Sequence, residues 1–294
     1  MKLPRFRRRD RHERRVPVLP TLLTLGNAAC GFGAITYAAK WSAVDGTSAL
    51  FFASCLIYLA MLFDLLDGRA ARWAKQTSPF GAQLDSLCDA ISFGAAPAFL
   101  MLQFCLLHGL HPRLLWMIAA LYVLCTVLRL ARFNVESDED DSHSFFSGLP
   151  SPAAAGTIAS FPIMVYGLKR FETFAPDGFW ERFANWLEPA AIQILPFITF
   201  AVAGLMVSRI RYPHVFNQLV RGRRNRRHVI QLVFALAVIF VIPQMSAPIL
   251  LCCYAFGSPI RALWQEAGSR WWARSGTSVV NTASQTTPTP SPSP

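Results

Sequence analysis

Residues 63–94 read FDLLDGRAARWAKQTSPFGAQLDSLCDAISFG and put four carboxylates, Asp64, Asp67, Asp85 and Asp89, into stretches otherwise apolar enough to be membrane helices. A charged Asp inside a span costs about 2.5–3.5 kcal/mol on insertion scales, so four of them demand a compensating charge. At about 100° per residue, Asp67 lies about 60° from Asp64, Gly68 about 40° and Ala71 about 20°. These residues form one stripe, with Arg72 beside it. After a break at Thr77-Ser78-Pro79, Gly81, Asp85 and Asp89 follow one another at i, i+4 and i+8, again along one helical face. Paired as a hairpin, the two helices aim two carboxylates each at a common point. An all-oxygen cluster of this kind selects hard cations such as Mg²⁺, Mn²⁺ or Ca²⁺. Two metals held there suit the clamping of a pyrophosphate and the stabilisation of charge on an attacked phosphorus. Gly68, Ala71 and Gly81 leave the same face nearly bare, so a bulky ligand reaches the backbone.

The rest of the chain agrees that these segments are membrane helices. Its 294 residues are 53% hydrophobic and 15% charged, with a mean hydropathy of +0.34. Soluble domains carry about 25% charged residues, and disordered chains are far poorer in apolar ones. Spans of about 20 residues are expected near 18–39, 48–66, 88–109, 114–132, 150–168, 188–208, 228–243 and 246–262. The last two are short and meet at Pro243 and Pro248, so seven spans is the alternative to eight.

The net charge of +11 is explained by where it sits. Of the 28 Lys and Arg residues, 23 fall in the N-terminal arm, after the second span, at the end of the fourth, after the sixth, or in the C-terminal region; 5 fall in the alternate loops. The positive-inside rule then places both termini and the acidic cluster at the cytoplasmic face. The basic arm reads as a topology signal and an anionic-lipid contact, not as a nucleic-acid site. The apolar run behind it is longer than a signal-peptide h-region and lacks a small-residue cleavage site. The Arg221–Arg227 cluster reads as a second anionic-lipid contact, and the acidic run at 136–141 as a solvated loop without EF-hand spacing. The seven cysteines are scattered, without the spacing of a disulfide framework or zinc site. An ion transporter using intramembrane Asp is the rival class; it predicts midplane carboxylates and inverted repeats, and no repeat is visible.

The pattern D-x2-D-G-x2-A-R-x8-G-x3-D-x3-D, with Asp64, Asp67, Gly68, Ala71, Arg72, Gly81, Asp85 and Asp89 in place, resembles the signature of the CDP-alcohol phosphatidyltransferase family. The resemblance implies an all-α polytopic enzyme, homodimeric, with a six-helix catalytic core that here carries two further C-terminal helices. It implies displacement of CMP from a CDP-linked lipid by a hydroxyl nucleophile. It also implies that Asp64, Asp67 and Asp85 bind metal. Asp89 would be the general base and touch the second metal, and Gly68, Ala71, Arg72 and Gly81 would contact the nucleotide. The cofactors expected are two divalent cations, Mg²⁺ or Mn²⁺.

The acceptor alcohol is read from other segments. Thr24, Asn27 and Gly31 share a stripe on the first span that leaves polar groups facing the bundle interior, and Asn27 is a candidate for binding the nucleotide or CDP-lipid. The runs ISFGAAPAF, RLARFNV and FSGLPSPAAAG are similar to motifs of membrane-integral phosphatidylserine synthases, and this likeness covers roughly residues 17–213. It implies CDP-diacylglycerol and L-serine as substrates. Serine is a zwitterion whose carboxylate needs a cation, and Arg129 and Arg132 at a cytoplasmic helix end are candidates for it or for a lipid phosphate. Asn134 is a further substrate-binding candidate, and Gly148 belongs to a loop, Phe146–Pro150, that shapes the pocket. Glycerol 3-phosphate or inositol phosphate as acceptor, and an archaetidyl-type donor, are the alternatives. The expected organisation is a basic arm (1–16), a catalytic core (17–213), a basic loop and C-terminal hairpin (214–264), and a tail (265–294) that is low-complexity from about 275. The expected location is the inner membrane, with the active site facing the cytoplasm.

Overall fold

A computed structural model describes residues 18–40, 46–74, 79–106, 110–137, 146–174, 178–212, 245–261 and 264. The basic arm, the acidic run from residue 138 on, the Arg221–Arg227 cluster, the seventh expected span and the C-terminal tail lie outside the described residues. The chain is helical: α1 (Val18–Ala39), α2 (Gly46–Ala74), α3 (Pro79–Asp89), a π-helical turn (Ala90–Ala95), α4 (Ala96–Leu106), α5 (Pro112–Ser137), α6 (Ser151–Phe174) and α7 (Phe179–Val207). A further helical segment covers 245–261. The extended structure among the described residues is a two-residue antiparallel bridge, Phe146–Ser147 against Arg211–Tyr212.

Among the described residues, five helices are long and apolar enough to cross a membrane: Val18–Ala39, Ser48–Ala70, Phe80–Leu106, Pro112–Val135 and Arg182–Val207. The helix α6, at the fifth expected span, is not among them. Its sequence SPAAAGTIASFPIM is rich in small and hydroxyl residues, and most of its length is buried among the other helices. Several expected boundaries also shift, among them the start of the sixth span, expected at 188, where the helix begins at Phe179. The third expected span began at residue 88, whereas the helix begins at Pro79. Proline is well placed in a first helical turn, and the polar turns containing Gln83, Asp85 and Asp89 are what a hydropathy window discounts. The helix α2 runs on past residue 66 to Ala74. Its 29 residues span about 43 Å, longer than the roughly 30 Å hydrocarbon core.

Burial is arranged for a lipid solvent. Large apolar residues such as Phe32, Trp116, Leu124 and Phe197 are exposed on the outside, while the interior is rich in alanine: Ala34, Ala38, Ala53, Ala60, Ala154, Ala155 and Ala159. Small residues let helix backbones approach closely where the hydrophobic effect gives little drive. Buried hydroxyls of Ser54, Thr126, Thr157 and Thr199 donate to carbonyls four residues back in their own helices, so none needs a distant partner.

The π-turn has a cause in the sequence. Pro97 has no N–H to give to the carbonyl of Phe93, so the regular helical pattern fails there. The turn widens, with the Ala96 N–H donating to the Ile91 carbonyl. The Phe93 carbonyl is satisfied from another helix: the buried Tyr122 hydroxyl of α5 donates to it at 3.0 Å. Asp89 is the last residue before this turn.

Candidate active site

Asp64 and Asp67 come from α2, Asp85 and Asp89 from α3, and α1 and α5 close the sides. Asp64, Asp67 and Asp85 form a compact group: one carboxylate oxygen from each lies within 4.8 Å of the others. Asp67 is buried and the other two are half-buried. Asp67 Oδ2 and Asp85 Oδ1 are buried without a protein partner. Buried carboxylate oxygens left open in this way fit a hard cation, which accepts several oxygens at once. Asp89 is turned differently. One of its oxygens, Oδ1, accepts a hydrogen bond at 2.9 Å from Asn27 Nδ2 of α1, and the residue is 8% exposed.

The remaining expected residues divide by location. Gly68 and Gly81 are half-buried on the helices that carry the carboxylates. Ala71 and Arg72 lie in the last turns of α2, and their side chains are outside the described residues. The stripe on α1 is buried as Thr24, Asn27, Gly31, Ala34 and Ala38. On α5, Arg129 Nη1 donates to the Ser151 hydroxyl at the start of α6, and its buried Nε has no protein partner. The guanidinium lies within electrostatic reach of Asp89 and Asp64. Arg132 and Asn134 are half-buried farther along α5. The Ser86 hydroxyl, between Asp85 and Asp89, donates to Asn134 Oδ1 at 3.1 Å and so latches α5 to α3.

Gly148 is a backbone device. Its φ is +86°, and a Cβ there would run into the carbonyl oxygen of Met206. Its N–H donates to the Ile210 carbonyl at 2.9 Å, and that of Leu149 to the Leu205 carbonyl at 3.1 Å. The loop is thereby strapped to the end of α7, which sets Ser151 beneath Arg129.

Sequence reasoning did not find Ser151, Ser86, Ser92 or Tyr122. Ser92 carried a signal, since it continues the Asp85–Asp89 stripe by three residues. Ser151 and Tyr122 acquire their roles from helices distant in sequence, and no local pattern marks them.

Residues 17–197 match the CDP-alcohol phosphatidyltransferase family. With that match over most of the chain, and the carboxylate group assembled at its centre, the chain belongs to the CDP-alcohol phosphatidyltransferase family and is a transferase. Its similarity extends to particular relatives. A CDP-diacylglycerol–serine O-phosphatidyltransferase of Helicobacter pylori (strain ATCC 700392 / 26695) is 29% identical over 84% of this chain and 92% of that protein. The archaetidylserine synthase of Methanothermobacter thermautotrophicus is 37% identical over 67% of this chain and 70% of that one. A CDP-diacylglycerol–serine O-phosphatidyltransferase of Mycobacterium tuberculosis (strain ATCC 25618 / H37Rv) is 32% identical over 69% of this chain and 63% of that protein.

Proposed function

We propose that the chain transfers the phosphatidyl group of CDP-diacylglycerol to the hydroxyl of L-serine, giving phosphatidylserine and CMP. The observation that carries this reading is the Asp64–Asp67–Asp85 group with a fourth carboxylate, Asp89, on the same helix as Asp85 and hydrogen-bonded to Asn27. The names of the relatives supply the serine acceptor.

In this reading Asp64, Asp67 and Asp85, with Asp89, would hold two divalent cations, Mg²⁺ or Mn²⁺. When bound, such ions neutralise pyrophosphate charge and stabilise the charge that builds on the departing CMP. Asp89 takes the proton from the serine hydroxyl. The freed oxygen forms a bond to the β-phosphorus, and the bond from that phosphorus to the CMP oxygen breaks. Gly68, Ala71, Arg72 and Gly81 receive the nucleotide along the bare face of the two helices. Arg129, oriented by Ser151, pairs with the serine carboxylate, with Arg132, Asn134 and the Gly148 loop shaping that side. The bound oxygen of Ser151 leaves the guanidinium's remaining N–H groups to a planar acid.

The catalytic unit is residues 17–213, flanked by the basic arm and the C-terminal region. The protein is a homodimer of the inner membrane with its site facing the cytoplasm, where the basic residues meet anionic lipid. A second reading, an archaetidyl-type donor, is favoured by the archaetidylserine synthase relative. Lipid tails meet only apolar surface, so donor choice lies outside the carboxylate group.

The test is purified protein with CDP-diacylglycerol, Mn²⁺ or Mg²⁺, and labelled serine or glycerol 3-phosphate. Serine label in lipid with equimolar CMP is the expected result. Incorporation of glycerol phosphate alone would replace the acceptor, and full turnover by Asp89→Asn would remove its role as base.

A further inference from the structure

We propose that Asn27 is a positioning residue for Asp89: its amide holds one carboxylate oxygen and thereby turns the other toward the substrate hydroxyl. This rests on Asp89 as the proton acceptor. It replaces, for Asn27, the nucleotide contact expected from its place on the α1 stripe.

The device begins with the two backbones. The helix α1 reaches the π-turn because residue 31 is glycine. A Cβ at Gly31 would lie 2.6 Å from Ser92 Cα and 2.9 Å from Ser92 Cβ, distances that real Cβ atoms do not adopt. The Ser92 hydroxyl in turn donates to the Asn27 carbonyl at 2.9 Å. Asn27 is one helical turn before Gly31, and Asp89 lies three residues before Ser92, so the close approach sets Asn27 against Asp89. Asn27 is then fixed at both ends: its main chain by Ser92 and its side chain by Asp89. It is 0% exposed, so no water competes for the amide. An ionised carboxylate only accepts hydrogen bonds, so the N–H end of the amide is the end that faces it. Asn27 Oδ1 has no protein partner, which leaves the Asp89 bond to set the amide's orientation.

A rival partner gives the bond its purpose. Arg129 lies within electrostatic reach of Asp89, and its Nε is unpartnered. Asn27 gives Asp89 a hydrogen-bond partner that adds no charge beside that guanidinium.

The experiment compares full-length wild type, Asn27→Ala, Asn27→Asp and Ser92→Ala in lipid nanodiscs. It measures CMP release, the KM of each substrate, and equilibrium binding of CDP-diacylglycerol. A lost hydrogen bond to a charged group predicts a fall in kcat on the order of 10- to 100-fold for Asn27→Ala. KM values and CDP-diacylglycerol affinity should stay within about twofold, the pattern of an interaction used in the transition state. Asn27→Asp should fall further, because two carboxylates then face each other. Ser92→Ala removes only the backbone anchor and should show the same pattern with a loss of about 3- to 10-fold. An Asn27→Ala enzyme with unchanged kcat and a CDP-diacylglycerol affinity weakened about tenfold would make Asn27 a nucleotide contact and overturn the proposal. If Asn27→Ala does not fold, an unchanged kcat in Ser92→Ala overturns it instead. A wild type that uses another alcohol defeats the serine assignment alone, and the same comparison is then made on that alcohol.

Discussion

Substituting Asp85 by Asn should stabilise the metal-free protein while disabling it. Asp64, Asp67 and Asp85 each bring a carboxylate oxygen within 4.8 Å of the other two. At an effective dielectric constant of about 20, two unit charges at that separation repel by about 3.5 kcal/mol. The substitution removes two of the three pairs, roughly 7 kcal/mol of gross repulsion. Relaxation and penetrating water return most of it, leaving a net gain on the order of 1–2 kcal/mol. For a chain of this size that is a rise in melting temperature of about 2–8 °C. The assay is a thermal-shift measurement in detergent at one scan rate, in EDTA and then in Mn²⁺. The variant should melt above wild type in EDTA, and Mn²⁺ should raise wild type by more than the variant. Turnover should fall by more than the roughly 10- to 100-fold that loss of a residue merely supporting a metal ligand causes. A variant that melts at or below wild type in EDTA, or that gains as much from Mn²⁺, would refute the view that these carboxylates share one cation-binding point.

Two further substitutions probe the frame around the site. Tyr122→Phe leaves the Phe93 carbonyl buried without a donor and should cost about 1–3 kcal/mol in detergent unfolding; the cost should shrink in a Pro97→Ala background, where the helix regains its own N–H. Gly148→Ala places a Cβ against the Met206 carbonyl at a left-handed φ of +86° and should cost about 2 kcal/mol or more, with the KM for the acceptor rising because Ser151 loses its support.

The grouping of carboxylates at the candidate site was legible in residues 63–94 because helical periodicity and charge are local properties. Asp64 and Asp67 on one helix, and Asp85 and Asp89 on the next, share faces whatever surrounds them, and the cost of an unpaired Asp in lipid says that they must meet something. The membrane location was legible for a similar reason: length and apolarity of a span are summed along the chain. Helix boundaries were less legible near the site, since Gln83, Asp85 and Asp89 make the opening turns of α3 look like a connecting segment.

The tertiary structure decided how the four carboxylates divide. Sequence spacing treats Asp85 and Asp89 as equivalents on one stripe. Packing separates them, because the glycine at 31 admits α1 to the π-turn and brings an amide to Asp89, while Asp85 faces the pair from α2. Likewise, the sequence determined that Arg129 is a cation at a helix end. Its partnership with Ser151 depends on a glycine loop strapped to α7, some sixty residues further on. Periodicity fixes the direction of a side chain on its own helix; which neighbour it meets is set by contacts between helices that sequence distance does not encode.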